Sequence, residues 1–168
     1  MVKSGFETDA LRVKMLTGVL MRLSKQDLEK RLENAKAGLN PLGLGILKMI
    51  SKGDCTISCL SQAMFIAPAT IVPVIDSLEK GGFIIRKSDP ADRRKNPLVL
   101  TEKGKGLLSK VPFVHKDDLL VRGLERAGRK KTSRLIAILC GLVDALSGDA
   151  EISKKILCSA NGKKKVEK

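Results

Sequence analysis

Residues Asp89 to Gly104, reading DPADRRKNPLVLTEKG, form a charged turn between two short apolar runs and end on a helix-start signal. Ahead of the turn, Phe83, Ile84 and Ile85 make a run of branched and aromatic side chains entered from Gly81-Gly82, where a preceding helix stops. Beyond it, Leu98, Val99 and Leu100 make the return run, and Pro97, with no amide donor, suits the first residue of an edge strand. The two runs pair as a hairpin. Asp89-Pro90 initiates its turn, and Asp92, Arg93, Arg94 and Lys95 follow at the tip, where their charges project towards a polyanion. Thr101 is placed to cap the next helix, with Glu102 in its first turn.

Working outwards, Leu11, Leu16, Val19, Leu20, Leu23, Leu28 and Leu32 fall on helical spacing and predict one long first helix from about Glu7. Asn40-Pro41 is a cap and first-turn pair for a second helix through Ile50, with Leu39 and Leu44 as a staple. Thr56 caps a short third helix from Ser58 to Phe65, and a fourth runs from about Pro68 to Lys80, so a helix-turn-helix pair precedes the hairpin. After Thr101 the pattern gives a helix interrupted by Pro112, then another in which Leu135, Ile138, Leu139, Leu142, Val143 and Leu146 form a broad apolar stripe in need of a partner. The fold class is therefore mainly α with a small β-hairpin.

Asp92, one spacer, Arg94, five spacers, Leu100-Thr101, two spacers and Gly104 resemble the signature of the MarR family, the multiple antibiotic resistance regulators. The resemblance extends upstream through Thr56-Ile-Ser-Cys-Leu, Ala69-Thr-Ile-Val, Ile75-Asp-Ser-Leu-Glu and Gly82, covering roughly Leu39 to Leu108. It implies a winged helix-turn-helix domain over residues 39–104, an N-terminal dimerisation helix over 1–38, C-terminal dimerisation helices over 105–158 and a disordered basic tail over 159–168. It also implies a two-fold homodimer, whose interface would use Leu11, Leu16, Leu135, Ile138, Leu139, Leu142 and Leu146. The activity implied is transcription regulation, as a repressor on a near-palindromic duplex.

Within that frame Arg94 is the expected minor-groove contact, because a guanidinium entering a narrow A·T groove meets enhanced negative potential. Asp92 is expected to hold the tip in shape, and Arg86, Lys87, Arg93 and Lys95 to neutralise phosphates. On the fourth helix Ile71, Val74, Ile75 and Leu78 form the buried face, which leaves Pro68, Ala69, Thr70, Val72, Pro73 and Ser77 towards a groove, with Ser58 on the helix before. None of these can make the bidentate contacts that read guanine or adenine. Most relatives carry a large polar or basic residue where Pro73 stands, so the expected readout is modest and leans to A·T through Thr70, Ser77 and thymine-methyl contacts by Ala69, Val72 and Pro73. Pro73 also deletes a backbone bond at a mid-helix cost of about 3 kcal/mol, so the helix should kink or start irregularly. The alternative is a winged-helix protein-interaction module that has lost sequence-specific DNA binding.

Composition agrees with a duplex partner. The 168 residues carry a formal charge of +14 but only 2% aromatic side chains, with neither Trp nor Tyr, so stacking platforms for single strands are missing. The longest apolar stretch, Leu135 to Leu146, is broken by Asp144, which excludes a membrane span there, and Met1 to Ala10 is mostly polar and charged, which points to the cytoplasm. A single histidine, no nucleophile elbow and no phosphate-binding glycine loop argue against an enzyme. Cys55, Cys59, Cys140 and Cys158 lack metal-ligand spacing, so no metal or cofactor is expected. Some relatives sense oxidants through a cysteine in the first helix, where this chain has none. Cys59 is the residue open to such a role, with Cys55 just before it. Relatives also bind small amphipathic or phenolic ligands where the dimer helices meet the winged domain, and Met15, Met21, Met49 and His115 are the residues available for that here.

Overall fold

The computed structural model describes residues 5–53, 55–87 and 97–160. In chain order the elements are α1 (Gly5–Asn34), α2 (Pro41–Ile50), α3 (Ile57–Met64), α4 (Pro68–Lys80), β1 (Ile84–Arg86), β2 (Leu98–Leu100), α5 (Glu102–Lys110), α6 (Leu119–Ala127), α7 (Arg129–Ser147) and α8 (Ile152–Ala160). The chain is mainly helical, with one winged helix-turn-helix body and helical arms, as expected from its pattern.

Three side-chain caps start the helices of the body. Asn40 accepts from the Gly43 amide at 2.8 Å, Thr56 from Cys59 at 3.2 Å and Thr101 from Gly104 at 3.1 Å, each satisfying one of the amides that a helix start leaves without a partner. The helices then bury one face. Leu44, Ile46 and Leu47 of α2, Leu60 of α3 and Ile71, Ile75 and Leu78 of α4 are fully enclosed, joined by Ile84 of β1. Leu28 and Leu32 from the end of α1, and Leu107 and Val111 around α5, complete the same core, which therefore continues past Gly104. Val74 is only half-buried.

The hairpin is antiparallel with Ile84 opposite Leu100, Ile85 opposite Val99 and Arg86 opposite Leu98. It begins one residue later than the sequence reading, because Phe83 lies in the core outside the ladder. Cys55 adds a further rung, its carbonyl accepting from the Leu98 amide at 2.9 Å, which ties the hairpin base to the start of α3.

Beyond the hairpin the structure departs from the expected pair of helices, since four are present among the described residues. Pro112 has no amide to continue α5, while Gly128 at φ 84° and Gly148 at φ 69° adopt backbone conformations that side-chain-bearing residues avoid, so the remaining apolar pattern is cut into α6, α7 and α8. Among the described residues no helix is long and apolar enough to cross a membrane.

Candidate nucleic-acid interface

The motif that resembles the MarR signature has a structural meaning at the hairpin base. A Cβ on Gly104 would lie 2.3 Å from the Phe83 carbonyl oxygen, so α5 approaches the strand more closely than any side chain allows. Thr101 serves both sides of this contact: its amide donates to Phe83 O at 3.0 Å and its hydroxyl to Gly82 O at 2.6 Å. Lys103 donates to Gly81 O at 2.7 Å and sits 4.6 Å from the centre of the Phe83 ring. Gly82, at φ 72°, ends α4 so that the chain can turn into β1. The hairpin is thereby fixed against the last turn of α4.

On α4, Pro68, Ala69, Thr70, Val72, Pro73 and Ser77 are all exposed, opposite the buried face of Ile71, Ile75 and Leu78. Ser58 on α3 is exposed too. Pro73 stands inside a continuous helix rather than at a break. The irregularity sits at the start: Ala67 provides no side-chain cap, and the Thr70 amide bonds to Ala67 O at 2.9 Å in the tighter three-residue pattern, beside Ile71 to the same oxygen at 3.3 Å. The Ala69 carbonyl, deprived of the Pro73 donor, lies on the exposed face where water can serve it.

Arg86, expected to meet phosphate, is engaged by two acids of α4. Its guanidinium is gripped by Asp76 and by Glu79 of α4, and the Asp76 carboxylate holds it above its ordinary pKa, with Glu79 adding to the effect. The pair of carboxylates is what pattern reading missed. Asp76 and Glu79 lie three residues apart on one side of α4, and the strand that follows brings Arg86 to bond both. Without it two negative charges would stand beside Ser77 lacking that partner. Lys87 remains exposed, and its amide donates to Pro97 O at 2.9 Å. Asp92, Arg93, Arg94 and Lys95 lie outside the described residues, as do residues 161–168 of the basic tail.

The arms are set on the body by another arginine. Arg31 of α1 donates to Pro112 O at 2.9 Å and Phe113 O at 3.3 Å, and meets Asp118 at 3.3 Å, while Asp27 stands 3.7 Å from its Nε. Asp118 is 94% buried and in turn caps α6 through the Leu120 amide at 2.8 Å. This cluster fastens the joint after α5 to the lower end of α1. The expected dimer residues Leu11, Leu16, Leu135, Ile138, Leu139, Leu142 and Leu146 are all exposed.

A cavity of about 580 Å³ lies between the body and the last helix, lined by Lys48, Met49, Met64, Leu108, Phe113 and Ile156 among others. Of the residues expected to meet a ligand only Met49 lines it. Met15 is exposed on α1, as is Met21, and His115 is half-buried, accepting from the Asp117 amide at 3.2 Å. Lys52, also on this wall, has its pKa lowered by burial and by neighbouring Lys48. Cys59 is exposed as expected, whereas Cys55 is buried, and burial with a hydrogen bond to Cys59 pushes its thiol up to about 12.

The comparisons with known proteins agree with this geometry. Residues 43–95 match the MarR family. The HTH-type transcriptional regulator MhqR of Bacillus subtilis is 38% identical over 77 residues, 45% of this chain and 53% of that protein, so the match spans about half of its length. The transcriptional regulator BldR from Sulfolobus solfataricus has the same fold at 25% identity, with a TM-score of 0.64 over 88% of this chain and 99% of that one. The transcriptional repressor CouR, solved bound to a 23-mer DNA duplex, is similar in fold with a TM-score of 0.68 at 24% identity, covering 85% of this chain and 99% of its own. Over residues 43–95 the winged body is thus similar to the MarR family in sequence, and the chain shares the fold of these solved transcriptional regulators.

Proposed function

We propose that the protein is a DNA-binding transcription regulator that works as a homodimer and represses by occupying a near-palindromic duplex. The observation that carries this reading is the outer face of α4. Ala69, Thr70, Val72, Pro73 and Ser77 stand exposed on a helix whose opposite face is locked into the core, with the basic hairpin fixed beside it through Arg86. A rigid helix presenting small side chains fits a major groove closely, and its hydroxyls and apolar groups suit thymine-rich sequence more than guanine. Arg94, Arg93, Lys95 and Lys87 supply the charge for phosphate and minor-groove contacts, with Asp92 holding the tip, and Ser58 adds a hydroxyl from α3.

The exposed apolar faces of α1 and α7 supply the dimer contact, since neither is covered within one chain. The cavity beside Met49 supports control by a small amphipathic anion, because its wall joins apolar side chains to Lys48 and Lys52 and spans both the body and α8. A ligand there would change the angle between body and arms, and with it the spacing of two recognition helices. Titration of the duplex upstream of the protein's own gene, read by fluorescence polarisation, should show nanomolar binding that weakens steeply with salt and falls at least about tenfold in Arg94→Ala. Absence of binding at low salt would instead identify a protein-interaction module.

A further inference from the structure

Outside the winged body one surface is charged more densely than regulation by α4 and the hairpin requires. Arg122 and Arg126 of α6 and Arg129, Lys130, Lys131 and Arg134 of α7 are all exposed, with Glu125 as the one acid among residues 119–135. Elsewhere on the described surface several cations have an acidic partner: Arg12 with Asp9, Lys25 with Glu29, Lys105 with Glu102, and Lys155 with Asp149. None of the six at this corner makes such a pair among the described residues.

The corner is also rigid. Gly128 both ends α6 and begins α7, its amide bonding to Leu124 O at 3.0 Å, while the Thr132 hydroxyl reaches Leu124 O at 3.3 Å and Gly128 O at 3.0 Å. Three consecutive cations thus occupy the first turn of α7, which has neither an acid nor a side-chain cap. Positive charge at a helix start opposes the helix dipole, so this arrangement costs stability unless an anion approaches.

We infer that the α6–α7 corner is a second polyanion-binding surface and that its partner is the phosphate backbone of a duplex DNA segment other than the one read by α4. Six cations spread over two helices exceed what a single small anion engages. Single strands are recognised with stacking aromatics, and the four phenylalanines lie at 6, 65, 83 and 113, none of them on α6 or α7. The corner also lies beyond residues 43–95, at the end of α6 away from Asp118, which fastens that helix to the body.

The test uses the full chain with Arg129→Gln, Lys130→Gln and Lys131→Gln combined, changes that remove unfavourable charge from a helix start and touch no core residue. On a random-sequence duplex the slope of log affinity against log salt should fall by about 2 to 3, at about 0.9 per phosphate contact. Sedimentation with excess short duplex should show more than one duplex per dimer for the natural chain and one for the variant. An unchanged slope and stoichiometry would overturn the assignment. So would loss of binding to vesicles containing phosphatidylglycerol with DNA binding intact, which would make the corner a membrane contact. The result is separable from the regulator reading: a preferred operator with an unchanged slope sinks the corner alone, whereas a reduced slope without any preferred operator sinks the regulator alone.

Discussion

The winged body and the helical arms are built from similar apolar residues and end in opposite states. In the body Leu44, Leu47, Leu60, Ile71, Ile75 and Leu78 are fully enclosed, whereas α7 buries none of its 19 residues and α1 buries only Leu28 and Leu32 of 30. The body closes on itself because three short helices and a hairpin present apolar faces towards one centre. The arms cannot, since each offers its stripe to solvent; Leu146 is 87% exposed. Burying apolar area stabilises by roughly 25 cal/mol per Å², and on the proposed reading a second copy is what covers this stripe. The difference separates two kinds of stability: one belongs to the chain, the other depends on its concentration.

The sharpest way to break that comparison is to charge the arm. Leu139→Glu with Leu142→Glu should convert dimer to monomer in sedimentation at micromolar concentration and lower duplex affinity at least about a hundredfold, because two linked half-sites become one. The helical circular dichroism of the body should persist. If the dimer survives the double change, the arms are not its interface.

Next in size is damage to the body. Gly104→Ala forces a Cβ against the Phe83 carbonyl and should cost about 3 kcal/mol, lowering the melting temperature by roughly 6–12 °C. The same substitution at Gly106, where nothing lies within 4 Å, should be neutral or slightly stabilising.

A smaller effect is expected from Arg86→Ala. The ion pairs are partly exposed and contribute at most about 1 kcal/mol of stability, yet the change uncovers Asp76 and Glu79 beside the recognition face and should weaken duplex binding about tenfold. Adding Asp76→Asn and Glu79→Gln should restore most of the affinity. If Arg86 contacted phosphate directly, that restoration would fail.

The mildest prediction concerns thiols. Cys59 should be alkylated rapidly in the native protein and Cys55 only on unfolding. Cys55 keeps its proton in the folded state up to about 12 against an ordinary value of 9.0, so the native chain binds more protons than the unfolded one in that window. Its contribution to stability is present below pH 9 and is lost as pH rises from there towards 12. Cys55→Ala should flatten that part of the curve of melting temperature against pH.

Most of the body was legible because its signals are local. Asn40, Thr56 and Thr101 are caps whose chemistry acts within three residues, and each accepts the bond its spacing implies. The hairpin was readable from Gly82, Pro97 and the two apolar runs. What pattern reading lost depends on contacts between distant elements. Arg86 reads as one more cation until β1 is laid against Asp76 and Glu79, and the Arg31–Asp118 link joins residues 87 positions apart. The region after Pro112 was mis-segmented because its apolar residues run on through Gly128 and Gly148, and periodicity alone does not show which glycine breaks a helix.

Selection of bound duplexes from a random library by the full-length protein tests the central claim most directly. Two copies joined by their arms and reading DNA through α4 and the hairpin should enrich a near-palindrome rich in A·T, its half-site centres about one helical turn apart. No enrichment at low salt, or a lone half-site without its symmetric mate, would contradict the account.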